Sequence, residues 1–252
     1  MNDSPRVALI TGGAKRVGKA TALTLAQAGM DIAITCLTSK NEARQTASDI
    51  QKIGRRCQII EVDLADNAAA AYVHQQVTAQ YHRLDVLVNN ASVFDASPLS
   101  DMTGQQFDRQ MAINARTPLL LMQQFAPLLR AHHQPNDPAT MGRIVNFIDI
   151  HVMGQHLKGF MAYNVSKAAL MEATMTAALE LAPSITVNAI APGVVAWAES
   201  YTPEAREAYM RRVPLARAGT PQDAATAVKF LACDAHYCTG QIIKLDGGRF
   251  IT

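Results

Sequence analysis

The sequence carries little charge, and the two signs nearly balance. Only 17% of its 252 residues are Asp, Glu, Lys or Arg, and the formal net charge at pH 7 is +2. Lysine and arginine are scattered along the chain rather than clustered. Because a protein that binds a nucleic-acid backbone carries a strongly basic patch, we expect no nucleic-acid partner.

The sequence also lacks a long hydrophobic run and a targeting signal. Hydrophobic residues make up 49% of the chain, which is enough for a sizeable core. No run reaches the roughly 18 residues that a membrane-spanning helix needs. The N-terminus lacks the basic and then apolar pattern of a secretion signal. These absences predict a cytoplasmic protein without a membrane partner.

Cysteine is scarce, and no two cysteines form a Cys-x-x-Cys pair. Cys36, Cys57, Cys233 and Cys238 lie in apolar or helical surroundings, which predicts buried free thiols in a reducing compartment. A metal site requires closely spaced Cys and His ligands, and only residues 233–238 approach that spacing. We therefore predict no metal.

What the sequence does contain is a regular alternation of strand and helix patterns. The predicted strands are residues 6–11, 31–36, 57–62, 84–88, 142–148, 185–191 and 241–245. The predicted helices are residues 41–53, 67–81 and 221–233, a long helix within 101–129, and a helix from 163. Such alternation predicts an α/β fold with a parallel sheet covered by helices on both faces. Ligands of these sheets bind outside the carboxyl ends of the strands.

A glycine-rich turn, residues 12–18, follows the first strand and leads into a helix. Such a turn offers backbone N–H groups and a helix N-terminus to an anion, most often a dinucleotide pyrophosphate. After the second strand, Thr38, Ser39 and Lys40 stand where NAD-binding folds carry an acid for the ribose. With Lys15 and Arg16 nearby, these residues favour a 2′-phosphate and hence NADPH. The alternative is that Ser39 and Lys40 form an ordinary helix cap and a solvated first turn.

Further polar or small residues follow the third and fourth strands. Asp63 after the third strand is either a contact to the adenine or a turn residue. Residues 89–94, Asn-Asn-Ala-Ser-Val-Phe, suit a backbone that passes close to a ligand. Asn114 lies inside the predicted long helix, where asparagine is unfavourable. It either binds a water or the backbone beside Lys167, or merely bends the helix.

Tyr163 and Lys167 are four residues apart at the start of a predicted helix, so their side chains share one face. An ammonium beside a phenol lowers the phenol pKa, which suits proton exchange near neutral pH. The alternative is a polar pair on an exposed helix. Asp149 follows the apolar Phe147 and Ile148, and partial desolvation would raise its pKa toward the working pH.

Residues 192–197 follow the sixth strand and begin with Pro192 and Gly193. The residues after them, 198–214, are polar and helical in part. We predict a mobile substrate flap over about residues 194–214.

Six ordered motifs together resemble the short-chain dehydrogenase/reductase superfamily. They are Thr11-Gly12 with Gly18, Asn89-Asn90-Ala91, Asn114, Tyr163-x-x-x-Lys167, Pro192-Gly193 and Asp246-Gly247-Gly248. The resemblance implies one Rossmann-type domain over residues 1–252, a doubly wound seven-stranded parallel sheet, a nicotinamide cofactor and a homotetramer. It also implies that Tyr163 donates a proton, that Lys167 binds the ribose and lowers the tyrosine pKa, and that Asn114 holds a proton-relay water. The cofactor-binding residues expected on this basis are Gly12, Lys15, Arg16, Val17, Gly18, Thr38, Ser39, Lys40, Asp63, Leu64, Asn90, Ala91, Tyr163, Lys167, Pro192, Gly193 and Val195.

Several positions depart from the usual pattern and resemble the pteridine reductase branch of that superfamily. Arg16 replaces the middle glycine of the first turn, and Asp149 replaces the catalytic serine. The substrate-binding residues expected on this basis are Arg16, Ser92, Phe94, Asp149, Tyr163 and Trp197. The resemblance implies that a pterin stacks between Phe94 and the nicotinamide. Phe94 could instead be a plain core residue. The loop from Asp149 to Tyr163 is one residue longer than that branch leads us to expect.

The chemistry of a ring C=N fits these residues. Its reduction needs hydride at carbon and a proton at nitrogen, and a carboxyl with a raised pKa is a good proton source. An ionised Asp149 could instead bind the amino and ring N–H groups of a pterin. We therefore predict an NADPH-dependent pterin reductase. The alternatives are an NADPH-dependent carbonyl reductase and, from another class, a cofactor sensor without turnover, against which the set Asn114, Tyr163 and Lys167 argues.

Overall fold

The computed structural model describes residues 4–197 and 201–252, and within them the chain forms one parallel sheet. The strands are β1 Val7–Ile10, β2 Asp31–Cys36, β3 Cys57–Glu61, β4 Val86–Asn89, β5 Gly142–Phe147, β6 Ile185–Pro192 and β7 Ile242–Leu245. Their order is β3-β2-β1-β4-β5-β6-β7, with every neighbouring pair parallel. The predicted doubly wound, seven-stranded parallel sheet is confirmed.

The helices connect successive strands. They are α1 Arg16–Gln27, α2 Lys40–Lys52, α3 Ala69–Tyr81, α4 Gly104–Met111, α5 Thr117–Arg130, α6 Met161–Leu181, α7 Pro203–Met210 and α8 Pro221–Lys229. The long helix predicted within 101–129 is α4 and α5 joined by a π-helical turn, Ala112–Arg116. A second π-helical turn, Phe230–Asp234, follows α8. The predicted helix from Tyr163 begins slightly earlier, at Met161.

Helices cover both faces of the sheet because successive residues of a strand point to opposite faces. Val7 and Leu9 of β1 pack into a cluster with α3, α5 and α6. Ala8 and Ile10 pack into a second cluster with α1, α2 and α8. Both faces of the sheet therefore contribute apolar side chains to the core.

The structure bears on the expectations about membrane-spanning helices and about the cysteines. In the described ranges, no helix is both long and apolar enough to cross a bilayer. Cys36 is a buried free thiol, as predicted, but Cys57, Cys233 and Cys238 are only half-buried. The prediction of buried thiols is therefore wrong for these three, because they lie toward the edges of the apolar clusters.

Candidate active site

A cavity of about 500 Å³ opens at the carboxyl edge of the sheet, close to where the strand order reverses between β1 and β4. It brings together most of the predicted site residues. These are Gly12, Lys15, Arg16, Val17, Gly18, Thr38, Ser39, Asp63, Leu64, Asn90, Ala91, Ser92, Phe94, Asp149, Tyr163, Lys167, Pro192, Gly193 and Val195. The cavity lining does not include Lys40, Asn114 or Trp197.

The glycine-rich turn approaches the start of α1 too closely for larger side chains. A Cβ atom on Gly18 would lie 2.1 Å from the carbonyl oxygen of Gly12, and Gly12 itself has φ +64°. The side chain of Asn90 holds this turn by donating to Thr11 O and Gly12 O at 2.8 and 3.2 Å. Lys15 is the N-cap residue of α1, and its side chain makes no capping hydrogen bond. The backbone N–H groups of the first helical turn are therefore not capped by this side chain.

Arg16 joins the glycine-rich turn to the loop after β6. Its Nη2 donates to the carbonyl oxygens of Ala196 at 2.7 Å and Trp197 at 2.8 Å. Its backbone has φ +53°, in the left-handed region where the usual family residue is glycine. The guanidinium thus links the glycine-rich turn to the loop after β6 through two neutral carbonyl groups.

Lys40 does not line the cavity, and its contact with a 2′-phosphate stays a prediction. Its Nζ lies 2.5 Å from a carboxylate oxygen of Glu61. The reason is the strand register, because Cys36 at the end of β2 pairs with Glu61 at the end of β3. Thr38 and Ser39 do line the cavity, as predicted.

The side chain of Asn114 lies in the π-helical turn, and its hydrogen bonds are all made within the protein. Its Oδ1 accepts from Ser92 Oγ and Val93 N, and its Nδ2 donates to Val93 O and Ser166 Oγ. An amide has two donors and two acceptor sites. In this geometry Asn114 ties the loop after β4 to α6. Its predicted contact with a water or the backbone beside Lys167 stays a prediction.

Tyr163 donates a hydrogen bond to Asp149, with 2.7 Å between the phenol oxygen and Oδ2. The other carboxylate oxygen of Asp149 accepts from the backbone N–H of His151 at 2.9 Å. Burial and, after it, the Asp149 carboxylate raise the pKa of Tyr163 well above its ordinary value. The predicted lowering of this pKa is therefore wrong here, because a buried phenol beside a carboxylate keeps its proton.

The ammonium of Lys167 is buried at the base of the site. Its Nζ donates to the carbonyl oxygen of Phe147 at 2.7 Å and lies 5.9 Å from the ring centroid of Tyr163. Burial lowers the pKa of Lys167 to about 8, although the charge of Asp149 opposes this shift. The ammonium is thus held in the interior at an energetic cost, which a ligand with hydroxyl groups can offset.

Aromatic side chains form one wall of the substrate end. Phe94 stacks on Phe160 with ring centroids 4.4 Å apart and planes at 10°, and its ring meets Tyr163 edge-on at 4.7 Å. Phe94 lines the cavity, so the alternative of a plain core residue is excluded. Its stacking partner Phe160 was not predicted.

The side chain of Trp197 packs on two tyrosines that line the cavity. It contacts the rings of Tyr201 and Tyr209 at 5.4 and 5.7 Å, and the guanidinium of Arg206 lies 5.5 Å from its centroid. Trp197 is not among the lining residues, and its contact with substrate stays a prediction. Part of the predicted flap, residues 198–200, lies outside the described residues, and the mobility of this segment stays a prediction.

Comparisons with known proteins agree with this geometry. A family model described as enoyl-(acyl carrier protein) reductase matches residues 12–249. The chain is 33% identical to the short-chain dehydrogenase/reductase FrzI of a Cladobotryum species, over 98% of each chain. It is 32% identical to the 3-oxoacyl-(acyl-carrier-protein) reductase FabG of Staphylococcus aureus, over 97% of this chain and 98% of FabG. This chain belongs to the short-chain dehydrogenase/reductase superfamily. Among solved structures of similar fold is the FolM alternative dihydrofolate reductase 1 of Brucella canis complexed with NADP. It has a TM-score of 0.88 and 32% identity, covering 98% of this chain and 94% of FolM.

As a short-chain dehydrogenase/reductase, the chain is an oxidoreductase that uses a nicotinamide dinucleotide. The site residues fit such a cofactor. The helix N-terminus at Lys15 suits a pyrophosphate, and the absence of a Cβ atom on Gly12 and Gly18 lets a backbone approach closely. The cavity extends from Thr38 and Ser39 at one end to Tyr163 at the other.

The cavity of this short-chain dehydrogenase/reductase also contains residues that sequence analysis missed. They include His151, Leu157, Tyr201 and Tyr209. The position of His151 two residues after Asp149 was a signal that could have been used. Tyr201 and Tyr209 lie in the polar segment around α7, where the sequence pattern indicates solvent exposure rather than a site.

Proposed function

We propose that this protein is an NADPH-dependent reductase that acts on the C=N bond of a dihydropterin ring. The Asp149–Tyr163 hydrogen bond carries this proposal, because it puts a carboxyl group where an ordinary carbonyl reductase has a serine hydroxyl. The aromatic surface of Phe94 beside the Tyr163 ring supports a flat heterocyclic substrate. The likeness to FolM, an alternative dihydrofolate reductase, points the same way.

The cofactor would be held by residues along the whole cavity. The first turn of α1 suits the pyrophosphate, Thr38 and Ser39 the 2′-phosphate, and Lys167 the nicotinamide ribose. When bound, NADPH supplies the hydride. Asp63 and Leu64 line the adenine end, and Pro192, Gly193 and Val195 line the nicotinamide end.

The protein's own residues manage the proton. Tyr163 and Asp149 share one proton in the geometry described, with the phenol as donor. Burial keeps this proton on the phenol, and the phenol could give it to a ring nitrogen. Lys167 lies beneath the phenol, where its positive charge favours any anionic state of the pair.

The Asp149→Ser variant tests the proposed substrate. We expect kcat/KM for dihydrobiopterin to fall about 100-fold or more, which is the lower range for loss of an acid–base group. Turnover of a β-keto ester should change less, because a serine hydroxyl can hold a ketone oxygen. The measurement is NADPH oxidation followed by absorbance with dihydrobiopterin, dihydrofolate and ethyl acetoacetate. If wild-type protein reduces the β-keto ester better than every pterin, the proposal is wrong.

A carbonyl reductase is the second candidate, and the likeness to the ketone-reducing FabG supports it. In that case Asp149 would be an unusual replacement for the serine, and the same substrate panel decides between the two. The third hypothesis, a cofactor sensor, requires wild-type protein to bind NADPH and turn over none of these substrates. A cytoplasmic homotetramer stays a prediction.

The Ser39→Asp variant tests the preference for NADPH. A carboxylate at the end of the cavity would repel the 2′-phosphate, so we expect the KM for NADPH to rise about tenfold, equivalent to ~1.4 kcal/mol. The KM for NADH should fall or stay unchanged. Lys40→Ala is the matched control, since Glu61 already neutralises this exposed ammonium, and its effect should be about threefold at most. An equal rise in both KM values for Ser39→Asp would contradict the assignment.

A further inference from the structure

His151 is a buried imidazole in the active-site cavity that the proposed proton transfer does not use. It lies in the short turn Ile150–Met153, directly after Asp149. Its residue is only 8% exposed, and it lines the cavity. A histidine this buried needs hydrogen-bonding partners for its ring nitrogens.

One ring nitrogen has such a partner inside the protein. Nδ1 lies 2.6 Å from the backbone carbonyl oxygen of Gln155. A carbonyl oxygen only accepts, so Nδ1 must carry a hydrogen. In the neutral ring, Nε2 then has a free lone pair, and it makes no hydrogen bond to any part of the chain that the structure describes.

The C-terminal segment fixes the direction of this ring. The side-chain Nε2 of Gln155 donates to the carbonyl oxygens of Arg249 and Phe250 at 3.2 and 3.0 Å. The guanidinium of Arg249 donates back to the side-chain oxygen of Gln155. Both the nitrogen and the oxygen of the Gln155 side-chain amide are thus bonded to the C-terminal segment, which fixes the position of this residue. Its backbone carbonyl therefore holds the His151 ring in one orientation before substrate binds.

We propose that His151 Nε2 is a substrate-specificity group that accepts a hydrogen bond from the N–H edge of the heterocycle. This inference rests on the proposed function, since it names how the same site recognises a pterin. The amino and ring N–H groups of a pterin are donors. Asp149 and His151 come from one turn, and both residues line the cavity. A simple ketone has no donor to offer, so His151 separates pterins from ketones.

His151→Phe tests the inference, because it keeps a flat ring and removes the acceptor. We expect the KM for dihydrobiopterin and the Kd for biopterin, measured by its fluorescence, each to rise about tenfold, as for one lost hydrogen bond. We expect kcat to change less than about threefold, and the KM for NADPH to stay unchanged. His151→Gln, whose amide oxygen can accept the same bond, should recover most of the affinity. His156→Phe, an exposed histidine of the same loop outside this cavity, should behave as wild type.

The outcomes separate this inference from the proposed function. Equal biopterin affinity in wild type and His151→Phe would overturn the inference alone, whatever the turnover. His151-dependent biopterin binding without pterin turnover would overturn the proposed function alone. Absence of biopterin binding by the wild type would overturn both. A lower thermal unfolding temperature for His151→Phe, with equal losses of kcat for every substrate, would show a structural role and also contradict the inference.

Discussion

Replacing Tyr163 by phenylalanine is expected to lower kcat by about 10²- to 10⁴-fold, which is the range for removing a general acid. The phenol oxygen lies 2.7 Å from Asp149 and carries the proton that the pair shares. Burial and the carboxylate keep the pKa of Tyr163 well above its ordinary value, so the wild-type phenol stays protonated throughout the neutral range. Steady-state turnover of dihydrobiopterin measures the loss of kcat. A fluorescence titration with NADPH measures the Kd of the cofactor, which should be unchanged.

Tyr81→Phe is the matched control for this variant. Tyr81 is also buried, and its hydroxyl donates to the carbonyl oxygen of Ile32 at 2.8 Å, in the core away from the cavity. We expect this control to lose roughly 1 kcal/mol of stability and to keep wild-type kcat. A Tyr163→Phe enzyme with kcat within about threefold of wild type would remove the tyrosine from the chemistry.

Replacing Lys167 by methionine is expected to abolish most turnover and, at the same time, to stabilise the fold. Burial lowers the pKa of this lysine from 10.5 to about 8, so the unfolded chain holds the proton more tightly than the folded protein does. Below pH 8 the buried charge therefore costs the folded state roughly 3 kcal/mol. The variant loses this cost but also loses the hydrogen bond to Phe147 O, which reduces the net stabilisation by roughly 1–2 kcal/mol.

Urea unfolding at two pH values checks the sign. At pH 7 the Lys167→Met variant should be more stable than wild type by roughly 1–2 kcal/mol. The stability of the wild type should rise as the pH increases from about 8 toward 10.5, where its lysine loses the proton in both states. The advantage of the variant should disappear over that interval. Lys229→Met is the control, since that exposed lysine pairs with Asp234 on the surface. If the Lys167→Met variant is less stable than wild type at pH 7, the buried charge of Lys167 does not destabilise the fold.

Local spacing explains what the sequence could predict. Tyr163 and Lys167 share a helix face at four-residue spacing, and strand periodicity alone reveals the two apolar faces of the sheet. Contacts between distant segments could not be predicted in this way. Glu61 meets Lys40 only because β2 and β3 pair in one particular register. The bond between Asp149 and Tyr163 likewise depends on the path of the intervening loop.

The missed residues have the same origin. Phe160 lies behind Phe94 because the loop before α6 returns beside the loop after β4, where Ser97 N donates to Gly159 O at 2.8 Å. The predicted pKa of Tyr163 was wrong because spacing reveals the neighbouring ammonium but neither the depth of burial nor the nearer carboxylate. Distance along the chain says little about either of these quantities.

The π-helical turn Ala112–Arg116 constrains the length of this part of the chain. Such a turn amounts to one extra residue within an α-helix, and one residue corresponds to about 100° of rotation. Deletion of one residue from this turn would rotate α4 and α5 relative to each other. If α5 stayed packed in the apolar cluster, Asn114 would turn away from Ser92 and Ser166. A deletion of one residue here would thus detach from α6 the loop after β4, which carries the cavity-lining Ser92 and Phe94. The spacing between α4 and α5 is for this reason as strict a requirement of the site as any side chain that lines it.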